Sequence, residues 1–228
     1  MTTAFKPEKK NDFTRIAYEE IKKAIINNEL KPRDHLNVPY LAKVLGMSRT
    51  PISKALKMLE QDGLVESGSI GVHVKQMTLK ELYDVTEVRT TLECQALRSS
   101  LPNITEGEIN ALADRLLAMQ STLNSGGIVE CQTLNEFDQD LHSLITEKSN
   151  NAFLINIRQS ISQVTSRYFR LLVDSYNQED IAKVIENNLA LINALKTRDE
   201  DRIFELFYEH IQNGTVELAD LLQKHGYV

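Results

Sequence analysis

A chain of 228 residues with 26 Lys+Arg, 32 Asp+Glu, a net charge of −6 and 42% hydrophobic residues has room for two ordinary domains, each with its own core. No run approaches the roughly 18 apolar residues of a membrane span, and the opening MTTAFKPEKKNDF has no apolar signal region. Membrane insertion and secretion are therefore not expected, and a cytoplasmic setting is. Cys94 and Cys131 lie far apart without a CxxC partner and are read as reduced, half-buried thiols, with redox sensitivity left open.

Residues 1–12 are polar and charged and predict a disordered tail. Residues 13–28 carry Ile16, Ile21, Ala24 and Ile25 at helical spacing, an apolar face available to cover a helical hairpin downstream. The segment 37–63, NVPYLAKVLGMSRTPISKALKMLEQDG, predicts that hairpin, two short helices joined by a tight turn. Asn37 caps the first, with Leu41, Val44 and Leu45 on one face, and Gly46 allows a sharp stop. Ser48 caps the second, Pro51 sits in its first turn, and Ile52, Ala55, Leu56 and Leu59 repeat at i, i+3, i+4, i+7. That stripe faces inward and leaves Arg49, Thr50, Ser53, Lys54 and Lys57 as phosphate and base-edge donors on the other side. A plain helical hairpin with a solvated basic face would show the same spacing; the flanks favour DNA. Residues 64–66 and 72–74 read as two short strands around Ser67-Gly68-Ser69-Ile70-Gly71, so Gly68, Ser69 and Gly71 form the tip of a wing. Residues 13–76 thus predict a winged helix-turn-helix domain of three helices and a two-stranded wing.

These residues resemble the GntR-type bacterial transcription regulators. The resemblance is carried by AYEEIKKAIINNELKP (17–32), LAKVLGMSRTPISKALKMLEQDGLV (41–65) and the wing glycine Gly71. It implies binding to double-stranded operator DNA, with the family's first recognition arginine at Arg49. Three positions depart from the pattern: Arg33 stands where the family usually has Gly, and Ser53-Lys54 where it has Arg-Glu, so its second recognition arginine is absent. The operator read should differ accordingly, because a bidentate arginine carries ~1–3 kcal/mol of base discrimination.

Charge supports the division. Residues 1–76 hold 13 Lys+Arg against 9 Asp+Glu, and the remainder 13 against 23, a basic head on an acidic body. Residues 77–228 show no strand pattern. Capping boxes at Thr78-Glu81 and Thr105-Glu108 open helices over 78–99 and 105–124, and helical periodicity recurs over 130–147, 151–174, 178–197 and 201–224, with a short piece at 101–104. The short polar linkers predict an all-α antiparallel bundle. The fold class is mainly α.

Polar residues on inward stripes mark the chemistry of such a bundle, since a buried charge needs a partner. Arg89 shares a stripe with Leu82, Val85, Leu92 and Ala96 and must meet an anion, either Glu93 or the carboxylate of a ligand. Asp138 and His142 are an i, i+4 pair, His210 lies on the last helix and Asn188 on the fifth. A buried Asp-His hydrogen bond is the commoner reading of such a pair, and convergence on a divalent ion is the other. His35, His73 and His225 read as surface residues, with His73 near a DNA phosphate.

Here the chain resembles the FCD ligand-binding domain of the FadR-like branch of the same family. Many such domains bind a divalent metal through an Asp, a His four residues later and two further His; Asp138, His142 and His210 match, and Asn188 stands at the third imidazole. The resemblance implies a site for zinc, nickel or manganese, weakened by Asn188, which is a poorer ligand for soft metals. It also implies that Arg89 engages an effector carboxylate, with His142, Asn188 and His210 beside it. The expected protein is a homodimeric repressor controlled by a small organic acid. A DNA-binding regulator with a degenerate, ligandless sensor and a metal-dependent bundle enzyme are the alternatives; no nucleophile motif or phosphate loop favours the enzyme.

Overall fold

The computed structural model describes residues 12–224 and divides the chain between Gln76 and Met77 into two compact units. The predicted disordered tail lies outside the described residues except for Asp12, and His225 lies outside them as well. In the first unit, α1 (Phe13–Ile26), α2 (Val38–Val44) and α3 (Arg49–Gln61) precede the strands β1 (Val65–Gly68) and β2 (Gly71–Val74). Asp12 caps α1 by accepting from Arg15 N at 3.2 Å, and Asn37 caps α2 by accepting from Tyr40 N at 2.9 Å. Ser48 occupies the corresponding position of α3, but its side chain makes no capping bond. The reason lies three residues on, where Pro51 has no N–H to donate.

Ile52, Ala55, Leu56 and Leu59 of α3 close on Ala17, Tyr18, Ile21 and Ile25 of α1 and on Leu41 and Ala42 of α2. Two expected core residues face out instead: Ile16 is 44% and Val44 61% exposed. On α1 the buried stripe is turned by one residue to Ala17 and Tyr18, and the Tyr18 hydroxyl donates to Asp62 Oδ2 at 2.6 Å. On α2 the buried pair Leu41 and Ala42 spans roughly 100° of the helix, and Val44 falls outside that arc.

The wing pairs antiparallel from Val65↔Val74 to Gly68↔Gly71, so each strand is longer than predicted and only Ser69 and Ile70 turn. The segment before α2 adds to its edge: Leu36 N donates to Val72 O at 2.8 Å and Val74 N to Asp34 O at 2.9 Å. His35 is therefore not a plain loop residue, because it bridges His73 and lies against Gly71. Gly71 has φ +114°, and a Cβ there would come within 2.7 Å of His35 Nε2. Arg33 adopts φ 72°, a left-handed conformation that favours glycine, and its Nε and Nη2 both donate to Gln76 Oε1.

The second unit contains α4 (Leu79–Ser100), a 3₁₀ turn (Leu101–Asn103), α5 (Glu106–Asn124), α6 (Cys131–Lys148), α7 (Ala152–Val173), α8 (Gln178–Thr197) and α9 (Glu200–Lys224). Thr105 and Glu108 form the expected reciprocal box. At Thr78 only half of it exists: Thr78 accepts from Glu81 N, while the Glu81 carboxylate accepts from the Tyr168 hydroxyl at 2.8 Å. Helix α4 packs against α6, α7 and α9, and α8 against α5 and α9. The main core includes Leu97, Leu116, Leu134, Phe137, Leu141, Ile192, Leu195 and Phe207. Cys94 and Cys131 are free, half-buried thiols. Among the described residues, no helix is long and apolar enough to cross a membrane.

Candidate functional site

In the first unit, burial of the α3 stripe leaves Arg49, Thr50, Ser53, Lys54 and Lys57 exposed on the opposite face. Gly68, Ser69 and Gly71 are exposed at the wing tip. Sequence reasoning missed Glu60, whose Oε1 accepts from Ser67 N at 3.0 Å and so ties the wing to the helix that presents the basic face.

In the second unit, α4, α6 and α9 bring Arg89, Asp138, His142 and His210 into one cluster, and α8 contributes Asn188 to the wall of the same cavity. His142 is completely buried. Its Nδ1 lies 2.5 Å from Glu93 Oε2, and its Nε2 lies 2.7 Å from Arg89 Nη2, 3.0 Å from His210 Nε2 and 3.5 Å from Asp138 Oδ1. A guanidinium can only donate, so His142 Nε2 is the acceptor and Nδ1 carries the proton given to Glu93. His210 Nε2 lies 3.0 Å from Asp138 Oδ1, an acceptor only, which places its proton on that nitrogen.

Glu93, which the spacing suggested only as a partner of Arg89, is the junction of this network. Its Oε1 accepts from Arg89 Nε at 3.2 Å and from Arg158 Nε at 3.4 Å. Burial pushes its carboxyl pKa up, but Arg89, His142 and Arg158 outweigh that and bring it down to about 2. Burial opposes ionisation of Asp138 too, yet the His210 hydrogen bond keeps its pKa below the usual carboxylate range; a further contribution from His142 would need an imidazolium, which the Arg89 contact disfavours. Arg158 gave no sequence signal, because it sits on the half-exposed helix α7 and its role depends on which helix that face meets.

The cluster forms one end of a cavity of about 300 Å³ walled by α4, α6, α7, α8 and α9. Arg89, Arg202 and His210 supply basic groups, Asp138, Glu209 and Glu217 carboxylates, Asn188 an amide, and Leu82, Val85, Phe169, Val184 and Leu206 apolar wall. This mixture suits a small ligand with an anionic head.

The sequence matches the bacterial regulatory proteins of the gntR family over residues 14–70 and the FCD domain over residues 84–213. The chain belongs to the GntR family, with an FCD domain as its second unit. Its GntR relatives include the uncharacterized HTH-type transcriptional regulator YdhC of Bacillus subtilis, 23% identical over 221 residues that cover 96% of this chain and 97% of that one. The gluconate operon transcriptional repressor of Bacillus licheniformis is 23% identical over 210 residues, 89% of this chain and 83% of the relative. Among solved structures, McbR/YncC of Escherichia coli superposes with a TM-score of 0.73 at 22% identity, covering 93% of this chain and 98% of that one. These relatives are transcription regulators, not enzymes, so the bundle-enzyme alternative falls away.

Whether this FCD domain suits a divalent metal is decided by its donors. One nitrogen from each of His142 and His210 and one oxygen from Asp138 lie within 4.8 Å of one another, and His210 Nε2 becomes a donor once its proton moves to Nδ1. Asn188 Nδ2 donates to Val184 O at 3.0 Å, while its buried Oδ1 has no hydrogen-bond partner among the described residues. Three convergent donors, two imidazole nitrogens and a carboxylate oxygen, fit a cation that accepts mixed N and O ligands, and Asn188 lines the same cavity. Glu93 holds the His142 tautomer as a carboxylate behind a metal-bound imidazole does. The GntR residues therefore fit such an ion, with Asp138, His142 and His210 to hold it. The ion would supply a fixed positive charge for an anionic ligand.

Proposed function

We propose that this GntR regulator is a homodimeric cytoplasmic repressor whose operator affinity is set by a small organic acid bound in the second unit, with a divalent ion at Asp138, His142 and His210. The single observation that carries the acid is Arg89: a guanidinium on the wall of a half-open cavity, 2.7 Å from the His142 imidazole and in the same lining as His210 and Asn188. A carboxylate is the chemistry that pairs bidentately with it. In this reading, Arg49 and Thr50 enter the major groove, Ser53, Lys54 and Lys57 contact bases and backbone, and Gly68, Ser69 and Gly71 approach the minor groove or a phosphate. Acid binding then shifts operator affinity by no more than the difference in the acid's affinity for the two states.

The test is Arg89→Ala, assayed by operator retardation and by thermal melts across a panel of small carboxylates. The expected result is normal operator binding by the acid-free variant with no response to any acid. Loss of operator binding in that state would refute the reading. One observation favours the ligandless alternative: Arg89, Glu93, His142, His210 and Asp138 already satisfy one another. Wild-type melts that no acid moves would support it.

A further inference from the structure

We propose that the inward lone pair of His142 is a single seat that the Arg89 guanidinium and a divalent cation occupy in turn, so that loading the cluster with a cation turns Arg89 out toward the cavity. This rests on the proposed function, in which Asp138, His142 and His210 hold a divalent ion. An imidazole nitrogen has one in-plane lone pair, and on His142 it is already taken by Arg89 Nη2 at 2.7 Å, while Nδ1 is committed to Glu93 at 2.5 Å. His142 therefore has no free donor pair as long as Arg89 stays where it is. The guanidinium cannot yield by losing a proton, because it stays charged in proteins. It can only move.

Space and partners for that movement are present. Arg89 lines both the cavity of about 300 Å³ and a separate cleft of about 90 Å³ between α6 and α7, where Asn135, Ser143, Arg158 and Ser162 stand. Its departure does not strand Glu93, which keeps His142 Nδ1 at 2.5 Å and Arg158 Nε at 3.4 Å. The moved guanidinium, by contrast, leaves its carboxylate for a cavity where Asp138 is committed to the cation, Glu217 already accepts from the Tyr176 hydroxyl and Glu209 is exposed, so it needs another anion. A carboxylate ligand supplies one. The acid and the cation consequently favour each other's binding, and by linkage the effect is reciprocal. In this arrangement Arg89 is both a built-in stand-in for the cation and the group that receives the acid.

The experiment is calorimetric titration of MnCl2 and NiCl2 into the metal-free full-length chain, wild type and Arg89→Met. Removing the competing guanidinium is expected to tighten cation binding by about tenfold or more, because a seat occupied part of the time weakens apparent affinity by that fraction. Binding that is equal in the two proteins, or weaker in the variant, overturns the exchange while leaving the metal site itself intact. Absence of cation binding to the wild type and to a variant that melts cooperatively overturns both. A second measurement needs no variant: in the wild type titrated with zinc, the Arg89 Nε–Hε resonance should shift in step with the His142 imidazole nitrogens. Imidazole shifts with a stationary Arg89 signal overturn the proposal.

Discussion

Glu93 Oε2 and His142 Nδ1 meet at 2.5 Å across the packing of α4 against α6, with both side chains at most 1% exposed. This contact sets the orientation of the imidazole that Arg89, His210 and Asp138 address. Glu93→Ala should destabilise the second unit by about 2–4 kcal/mol, because it leaves the partly buried Arg89 and Arg158 without their carboxylate. Urea unfolding monitored by circular dichroism measures this. Glu93→Gln, which keeps the shape and part of the hydrogen bonding, should cost clearly less.

Among the described residues, Asn188 Oδ1 is a buried acceptor without a hydrogen-bond partner. Asn188→His should raise affinity for zinc and nickel by roughly tenfold or more, since borderline metals prefer imidazole to a neutral amide oxygen. Asn188→Leu should leave stability unchanged or raise it slightly in metal-free protein, because an unpaired buried acceptor costs about 1–3 kcal/mol. Calorimetric titration and thermal melts of the two variants distinguish these effects. A destabilised Asn188→Leu protein would show that the amide has a partner in solution.

Arg49 and Lys57 both lie on the exposed face of α3, but their chemistry differs. Arg49→Ala should cost about 1–3 kcal/mol on the specific operator and relax preference at one base position. Lys57→Ala should weaken binding to all sequences alike and lower the slope of log K against log salt by about 1. Fluorescence anisotropy on operator and scrambled duplexes over a salt series separates the two.

Glu108 gives a pH test at the start of α5. Its hydrogen bond to Lys148, joined by those from the Thr105 N–H and hydroxyl, lowers its pKa from the ordinary 4.5 to about 2. A carboxyl with a lowered folded pKa adds stability that is full above about 4.5 and is lost as pH falls toward 2. The melting temperature of the wild type should therefore exceed that of Glu108→Gln at pH 6, and the gap should shrink by pH 3. A gap independent of pH would mean that the charge of Glu108 does not act in the cap.

Most of the helical framework was legible because it is written in local chemistry. Capping residues mark starts, and apolar spacing marks a face; α8 begins and ends at the residues the periodicity predicted, 178 and 197. Local signals fail where a neighbour supplies the missing term. Thr78 with Glu81 has the spacing of a capping box, but Tyr168 takes the carboxylate. Ile16 and Val44 have suitable spacing and are nonetheless exposed, because periodicity locates a face only to within about a residue's rotation.

Spacing within single helices was enough to place the basic face of α3, the winged head and the inward positions of Arg89, Asp138, His142, Asn188 and His210. Which of those groups touch was settled by packing between helices. Glu93 and His142 are 49 positions apart, and His142 and His210 are 68 apart. No periodicity spans such distances. The helix crossings that bring them within 3.0 Å are set by how the apolar side chains of α4, α6 and α9 interlock. That packing places the Arg89 guanidinium on the His142 lone pair, a contact that spacing along the chain could not show.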